Sequence, residues 1–324
     1  MSQRATSLRL LGRLLGLAVL AGASLLVRVT GAPAGSGTGA SREAAIVGPE
    51  SLARMPGVLL IHVSWGGERD YRQAHIPGAI HLDTNRIERP PLWRLIPDAD
   101  LERELLDLGV TRTIRVVVYG SPTMAATRVA LVLLYAGVED VKLLDGGLDA
   151  WRATGRPIET GSKRPTPADS FGGPLPGRPE LIVHASDVRL ALGDSGSVVV
   201  SVRSLSEQLG KTSGYRDLKA RGRIRGDVWG GGGSDANHME DYENPDGTLK
   251  RPQTVAERWS RAGILPEKRV IFYCGTGWRA SLAFWDAWAL GWPRISVYDP
   301  GWYEWGRDPA NPIATGPWPA SETQ

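Results

Sequence analysis

Apolar residues along the chain fall into short unbroken runs and longer helically spaced ones, and the two kinds alternate. Val58-Leu-Leu-Ile-His-Val63, Arg115-Val-Val-Val-Tyr119, Val141-Lys-Leu-Leu144, Ser197-Val-Val-Val-Ser201 and Val270-Ile-Phe-Tyr273 are short and rich in β-branched side chains. Runs of this length without polar alternation predict strands buried on both faces, as in a parallel sheet covered by helices on either side. Between them, Leu101 to Leu108 stops at Gly109, Ala125 to Ala136 at Gly137, and Ala280 to Leu290 at Gly291. Each carries a helical stripe and ends at the glycine that favours a C-terminal cap. Strand and helix patterns in alternation predict an α/β fold.

The pattern occurs twice. Tyr119 and Tyr273, Gly137 and Gly291, Asp145 and Asp299, Gly147 and Gly301, and Trp151 and Trp305 are each 154 positions apart, so these two units align without a gap. Two modules follow, residues 44–160 and 180–316. The Pro-, Gly-, Ser- and Lys-rich stretch 161–179 reads as a connector running over the surface. Gly78 and Gly226 are only 148 apart, so the second module holds six extra residues before Tyr273. They fall in Gly230 to Lys250, a glycine run followed by acids. That stretch lacks the Gly-Lys-Ser/Thr ending of a phosphate loop and predicts a solvated loop or lid.

Residues 1–40 differ from the rest. Arg4, Arg9 and Arg13 precede the apolar run Leu14 to Val27, a small-residue tract follows, and the first acid is Glu43. This is the order of a secretory signal peptide, preferred here over an uncleaved anchor or an Arg-rich transit peptide. It predicts a periplasmic or secreted protein, with membrane contact only if the segment stays uncleaved. A net charge of +3 without a basic block interleaved with aromatics gives no reason to expect nucleic acid as a partner. One cysteine in 324 residues excludes an internal disulfide framework and any Cys-x-x-Cys site. No histidine or carboxylate spacing predicts a metal site, and no cofactor is expected.

That lone cysteine stands where chemistry is easiest to place. The strand pattern ending at Tyr273 runs into Cys274-Gly-Thr-Gly-Trp-Arg279 and then directly into a helical pattern. A loop between strand and helix N-terminus gathers unpaired amides and a favourable dipole, which bring a thiol down from about 8.5 toward neutrality and predict a thiolate nucleophile. Gly275 and Gly277 allow a sharp turn that core packing alone does not need. Four residues separate Cys274 from Arg279, one fewer than in the Cys-x5-Arg loop that wraps a phosphate. The smaller ring can enclose one extra sulfur atom on the cysteine, with inward amides opposing its charge.

Here the sequence resembles the rhodanese superfamily of sulfurtransferases, in its exported bacterial branch. Tyr71-Arg-Gln-Ala-His75-Ile-Pro-Gly-Ala-Ile80 is similar to the opening signature of a rhodanese domain. Val141 to Trp151 is similar to the closing one. The resemblance implies two tandem rhodanese-like modules, each a parallel sheet with helices on both faces, and an active site where they meet. Gly120 and Ala125 hold the positions of Cys274 and Arg279, so the first module is expected to be catalytically silent. The implied reaction moves sulfane sulfur from a small anionic donor such as thiosulfate, through a Cys274 persulfide, to an external thiol or cyanide. Amides of Gly275, Thr276, Gly277, Trp278 and Arg279 would hold the sulfur, and Arg279 and Arg203 would orient the leaving sulfite. Arg203 has a second reading as a salt bridge with Glu207. Trp278 could cover the persulfide or stack on Trp302 or Trp305. A further implied arrangement joins Thr276 to His75 and Asp70. Rivals from other classes are a non-enzymatic sulfur carrier, and a cysteine phosphatase or arsenate reductase, against which the short spacing argues.

Overall fold

The computed structural model describes residues 45–317; the expected export segment lies outside them. The first module runs β1 (Ile46–Val47), α1 (Pro49–Leu52), β2 (Val58–Ser64), α2 (Arg69–Gln73), β3 (Ile80–Asp83), the hairpin β4 (Glu88–Arg89) and β5 (Arg94–Leu95), and α3 (Asp98–Asp107). It closes with β6 (Arg115–Gly120), α4 (Thr123–Ala136), β7 (Asp140–Leu144) and α5 (Gly147–Ala153). The second runs β8 (Ile182–Val183), α6 (Ala185–Leu192), β9 (Ser197–Ser201), α7 (Leu205–Gln208), β10 (Arg223–Ile224), β11 (Val228–Trp229) and α8 (Pro252–Arg261). Then come β12 (Arg269–Tyr273), α9 (Trp278–Ala289), β13 (Ile295–Tyr298), α10 (Trp302–Trp305) and β14 (Ile313–Ala314).

Each module holds a five-stranded sheet, ordered β1-β7-β6-β2-β3 in the first and β8-β13-β12-β9-β11 in the second. Every pairing within them is parallel. Strand for strand, this is one topology used twice. Side chains alternate across β6, so Val116 and Val118 join the cluster that contains α4 while Val117 and Tyr119 pack with Tyr71 and Trp151 on the other face. Both faces are therefore apolar, and each fully buried valine contributes on the order of 1.5–3 kcal/mol.

Helices α4 and α9, equivalent in the repeat, pack on one another, and a single apolar cluster continues from one module into the other. A helix apolar all round must be covered all round, and α4 is covered by its own sheet and by α9. The interface repeats in its polar contacts as well. Asp299 accepts the amide of Leu95 at 3.0 Å, and its counterpart Asp145 accepts the amide of Leu249, the counterpart of Leu95, at 2.7 Å. Each module reaches across to a backbone amide of the other.

Two expectations about loops change. The connector does not simply run over the surface, because Phe171 is buried in the core and the Arg112 amide donates to its carbonyl at 2.8 Å. The Gly230 to Lys250 insertion is not a solvated lid either. Met239, Tyr242 and Leu249 are buried, and Gly232 and Gly233 lie against other backbone: a Cβ at Gly232 would sit 2.5 Å from the Arg203 carbonyl oxygen. Apolar anchors among the acids, rather than overall polarity, decide where this segment lies.

Candidate active site

Cys274 leaves the carboxyl end of β12, the middle strand of the second sheet, and α9 begins four residues later. The turn between them is fixed from below. The amides of Trp302 and Tyr303, in α10, donate to the carbonyls of Cys274 and Gly275 at 2.8 and 2.9 Å. Gly277 closes it with φ of 99°, in the left-handed region, and its amide donates to Cys274 Sγ at 3.2 Å. Gly275 is needed for a different reason: a Cβ there would fall 1.7 Å from the Tyr215 hydroxyl oxygen, so the ring lies directly against the loop.

Beneath the loop sits a buried ionic triad. Arg279 forms a fork with Glu207, Nη1 to Oε2 at 2.7 Å and Nη2 to Oε1 at 3.0 Å. Arg203 donates from Nε to the same carboxylate at 3.2 Å, and from its other nitrogens to the carbonyls of Gly222 and Ser213 at 2.6 and 2.9 Å. Its guanidinium carbon also lies 4.7 Å from the Trp302 ring centroid. Burial alone would raise the Glu207 carboxyl, but Arg279 and Arg203 hold it down at about 2. Glu207 also accepts the amide and hydroxyl of Ser204, both at 2.9 Å, which caps α7 and fixes the carboxylate in place.

The first module supplies the other wall. Arg128 of α4, fully buried, donates to Asp299 at 2.9 Å and to Glu88 at 3.2 Å. Glu88 in turn accepts the indole N–H of Trp278 at 2.5 Å. This bond, rather than stacking on Trp302 or Trp305, fixes the Trp278 ring. The repeat is broken at this point, since the counterpart of Arg128 in α9 is Leu282. The ion pair that Arg128 makes with Asp299 across the interface is therefore not repeated at Leu282.

Between these walls lies a cavity of about 670 Å³, with Cys274, Thr276 and Arg279 on one side and Glu88, Trp65 and Trp93 on the other. Cys274, Thr276, Trp278 and Arg279 line it together, and of the five amides expected around the sulfur the structure shows that of Gly277 directed at Sγ. Arg203 does not line the cavity: every guanidinium nitrogen is held by protein, and its second reading, the Glu207 salt bridge, describes its place. The arrangement of Thr276 with His75 and Asp70 is not assembled. His75 is buried in the first module, stacked 4.1 Å from the Tyr71 ring, with Nδ1 2.9 Å from the Tyr71 carbonyl. Asp70 faces a separate cavity beside Gly120. Glu207 was visible only as a partner for Arg203, and Tyr215, Glu88 and Arg128 gave no local signal.

Two buried carboxyls near the site are driven the other way. Desolvation raises Glu88 to about 7 despite Arg128, and raises Asp227, beneath β12, to about 7 despite bonds from Tyr273 and Gln208. In the unfolded chain both ionise near 4, so between about pH 4 and 7 the native protein binds more protons and loses stability as pH rises. The urea midpoint is expected to be higher at pH 5.5 than at pH 7.5, and Glu88→Gln with Asp227→Asn should flatten that slope. A midpoint rising across this interval would contradict the assignment.

A cysteine carried by a middle strand into a glycine-bounded turn, with a copy of the same module that has Gly120 in place of the cysteine closing the other side, defines a tandem α/β protein with one interfacial thiol site. The rhodanese-like domain description matches residues 52–154 and 184–308, and the chain belongs to that family. It is 45% identical over 258 residues to thiosulfate sulfurtransferase YnjE of Escherichia coli K12, covering 79% of this chain and 59% of YnjE. The chain thus spans about three fifths of that relative's length. The crystal structure of YnjE matches with a TM-score of 0.83 at 41% identity, over 86% of this chain and 70% of that one. A thiosulfate sulfurtransferase of Pseudomonas aeruginosa is 31% identical, over 83% of this chain and 96% of its own length. An anaerobic ergothioneine biosynthesis enzyme from Chlorobium limicola, solved with its natural substrate trimethyl histidine, matches with a TM-score of 0.82 at 36% identity, over 85% and 71%.

Proposed function

We propose that the protein is a sulfurtransferase whose Cys274 carries the transferred sulfur as a persulfide. The thiolate attacks the outer sulfur of a donor such as thiosulfate, a new sulfur–sulfur bond forms, and sulfite leaves with the electron pair of the old one. A thiol or cyanide then removes the outer sulfur and returns Cys274 to the thiolate. The observation that carries this reading is the Gly277 amide directed at Sγ on the floor of the interfacial cavity. Arg279 and Arg203 together exceed Glu207 by one positive charge, which favours an anionic sulfur at that floor. Arg216, Lys219 and Arg221 line an adjoining depression that shares Tyr215, Ala236 and Asn237 with the cavity, an approach suited to an anionic donor.

The Arg279 fork with Glu207 argues against phosphatase chemistry, because the guanidinium that would clamp a phosphate is already engaged. Incubation with thiosulfate is expected to add one sulfur, about 32 Da, to the intact mass, and a thiol should remove it again. Absence of the adduct with every sulfane donor would remove the proposal; an adduct that no small acceptor discharges would favour a carrier instead. We propose further that residues 1–40 direct export to the periplasm or beyond. Among the described residues no helix is long and apolar enough to cross a membrane. Expression of the full chain in a bacterial host, followed by fractionation and intact mass, should yield a shortened protein outside the cytoplasm. A full-length cytoplasmic product would refute export.

A further inference from the structure

The two walls of the cavity carry unequal charge. On the β12 side two guanidinium groups meet one carboxylate beneath the turn that carries Cys274. On the α4 side the count is reversed. Arg128 lies between Glu88 and Asp299, so one guanidinium answers two carboxylates, and Glu88, 1% exposed, has Oε2 held by Arg128 and Oε1 by the Trp278 indole N–H. Asp299 turns its second oxygen to the Leu95 amide, whereas Glu88 lines the cavity. Of the other charged groups on this side, Arg94 is paired with Glu304.

The same side is aromatic. Trp65 is 62% exposed at the rim and stands edge-on to Trp93, their ring centroids 6.5 Å apart at 74°. Trp93 has φ of 55°, the single positive φ outside glycine among the described residues, in a region that bulky side chains rarely occupy. Trp278 completes the wall, its indole N–H bound to Glu88. Tyr303 does not count toward it, because Arg307 already lies 4.0 Å from its ring centroid. Thiosulfate or cyanide would fill only a small part of 670 Å³. Indole rings beside a local excess of carboxylate are a setting in which an organic cation is attracted.

We propose that this cavity receives the sulfur acceptor as a thiol that carries an ammonium group, with the cation between Trp65, Trp93 and Glu88 and the thiol toward Cys274. The assignment rests on the sulfurtransferase reading. In the step itself the acceptor thiolate attacks the outer persulfide sulfur and forms a new sulfur–sulfur bond. The bond to Cys274 Sγ breaks and its electron pair stays on Sγ, so the acceptor becomes a persulfide and nothing else is oxidised or reduced. Burial, with the neighbouring Asp299, raises Glu88 to about 7, so the attraction strengthens as pH rises through neutrality.

The test is to load the protein with thiosulfate and follow discharge by mass with 2-aminoethanethiol, 2-mercaptoethanol and mercaptoacetate. Each rate is taken per thiolate and divided by the rate with a small-molecule persulfide. The ammonium thiol should exceed the carboxylate thiol by about tenfold. Glu88→Gln should bring that ratio close to one, and Trp65→Ala, at an exposed position that folding does not need, should reduce it. Equal ratios in the unaltered protein, or preference for mercaptoacetate, overturn the proposal. A second arm needs no persulfide: choline should quench tryptophan fluorescence saturably, more strongly at pH 8 than at pH 5.5, and absence of quenching at both also overturns it. Choline binding by a protein that never gains sulfur would sink sulfur transfer while keeping the cation site.

Discussion

Replacing Cys274 by serine should lower sulfur transfer by at least about 10⁴-fold, the scale on which loss of a covalent nucleophile is felt. A serine hydroxyl stays protonated at neutral pH and attacks sulfur poorly, and no other cysteine in the chain can take its place. The fold gives no reason for collapse. Sγ accepts one amide, from Gly277 at 3.2 Å, and a hydroxyl oxygen accepts it as well. The variant should therefore keep its urea midpoint nearly unchanged, gain no mass with thiosulfate, and form no thiocyanate from cyanide. Undiminished thiocyanate formation would remove the cysteine from the mechanism, and the site described above with it.

The readable part of this site was the part built within a few residues. Strand, loop and helix around Cys274 follow from local periodicity and from two glycines, and the missing cysteine at Gly120 follows from an offset of 154 positions. Glu88, Arg128, Tyr215 and Trp93 were not readable. Their roles arise where one module packs on the other, and nothing in the spacing of Glu88 and Trp278, 190 positions apart, marks them as partners. Arg203 illustrates the same limit. At the carboxyl end of a strand it looks available to a ligand, and only its burial against Trp302 and two carbonyls withdraws it. In the acidic insertion three buried side chains outweigh the polarity around them, and composition alone does not show which residues are anchors.

The first module, although its loop has no cysteine, contributes side chains to the site of the second. Its Arg128 and Glu88 fix Trp278, and thereby the first turn of α9, through bonds that cross the interface. Separation of the two modules would expose the faces by which α4 and α9 cover each other, so the same packing that stabilises the pair also closes the cavity.

Glu207→Ala is expected to be the most destabilising single change near the site, by about 3–5 kcal/mol, because it leaves two buried guanidinium groups facing each other without a counter-charge. Arg279 would turn away from the loop, so the persulfide adduct should fall with the fold. Glu207→Gln separates the two effects. It keeps the shape and the Ser204 contacts but removes the charge, so the variant should fold with a lower urea midpoint and load sulfur more slowly. The pH dependence identifies the cause. Glu207 is held at about 2 against an unfolded value of about 4.5, so its contribution is complete above about pH 4.5 and disappears as pH falls through 2. The gap in stability between the unaltered protein and Glu207→Gln should be largest above pH 4.5 and close toward pH 2. A gap that stays constant with pH would mean that the carboxylate acts through packing alone, and would undo the ionic account of the loop.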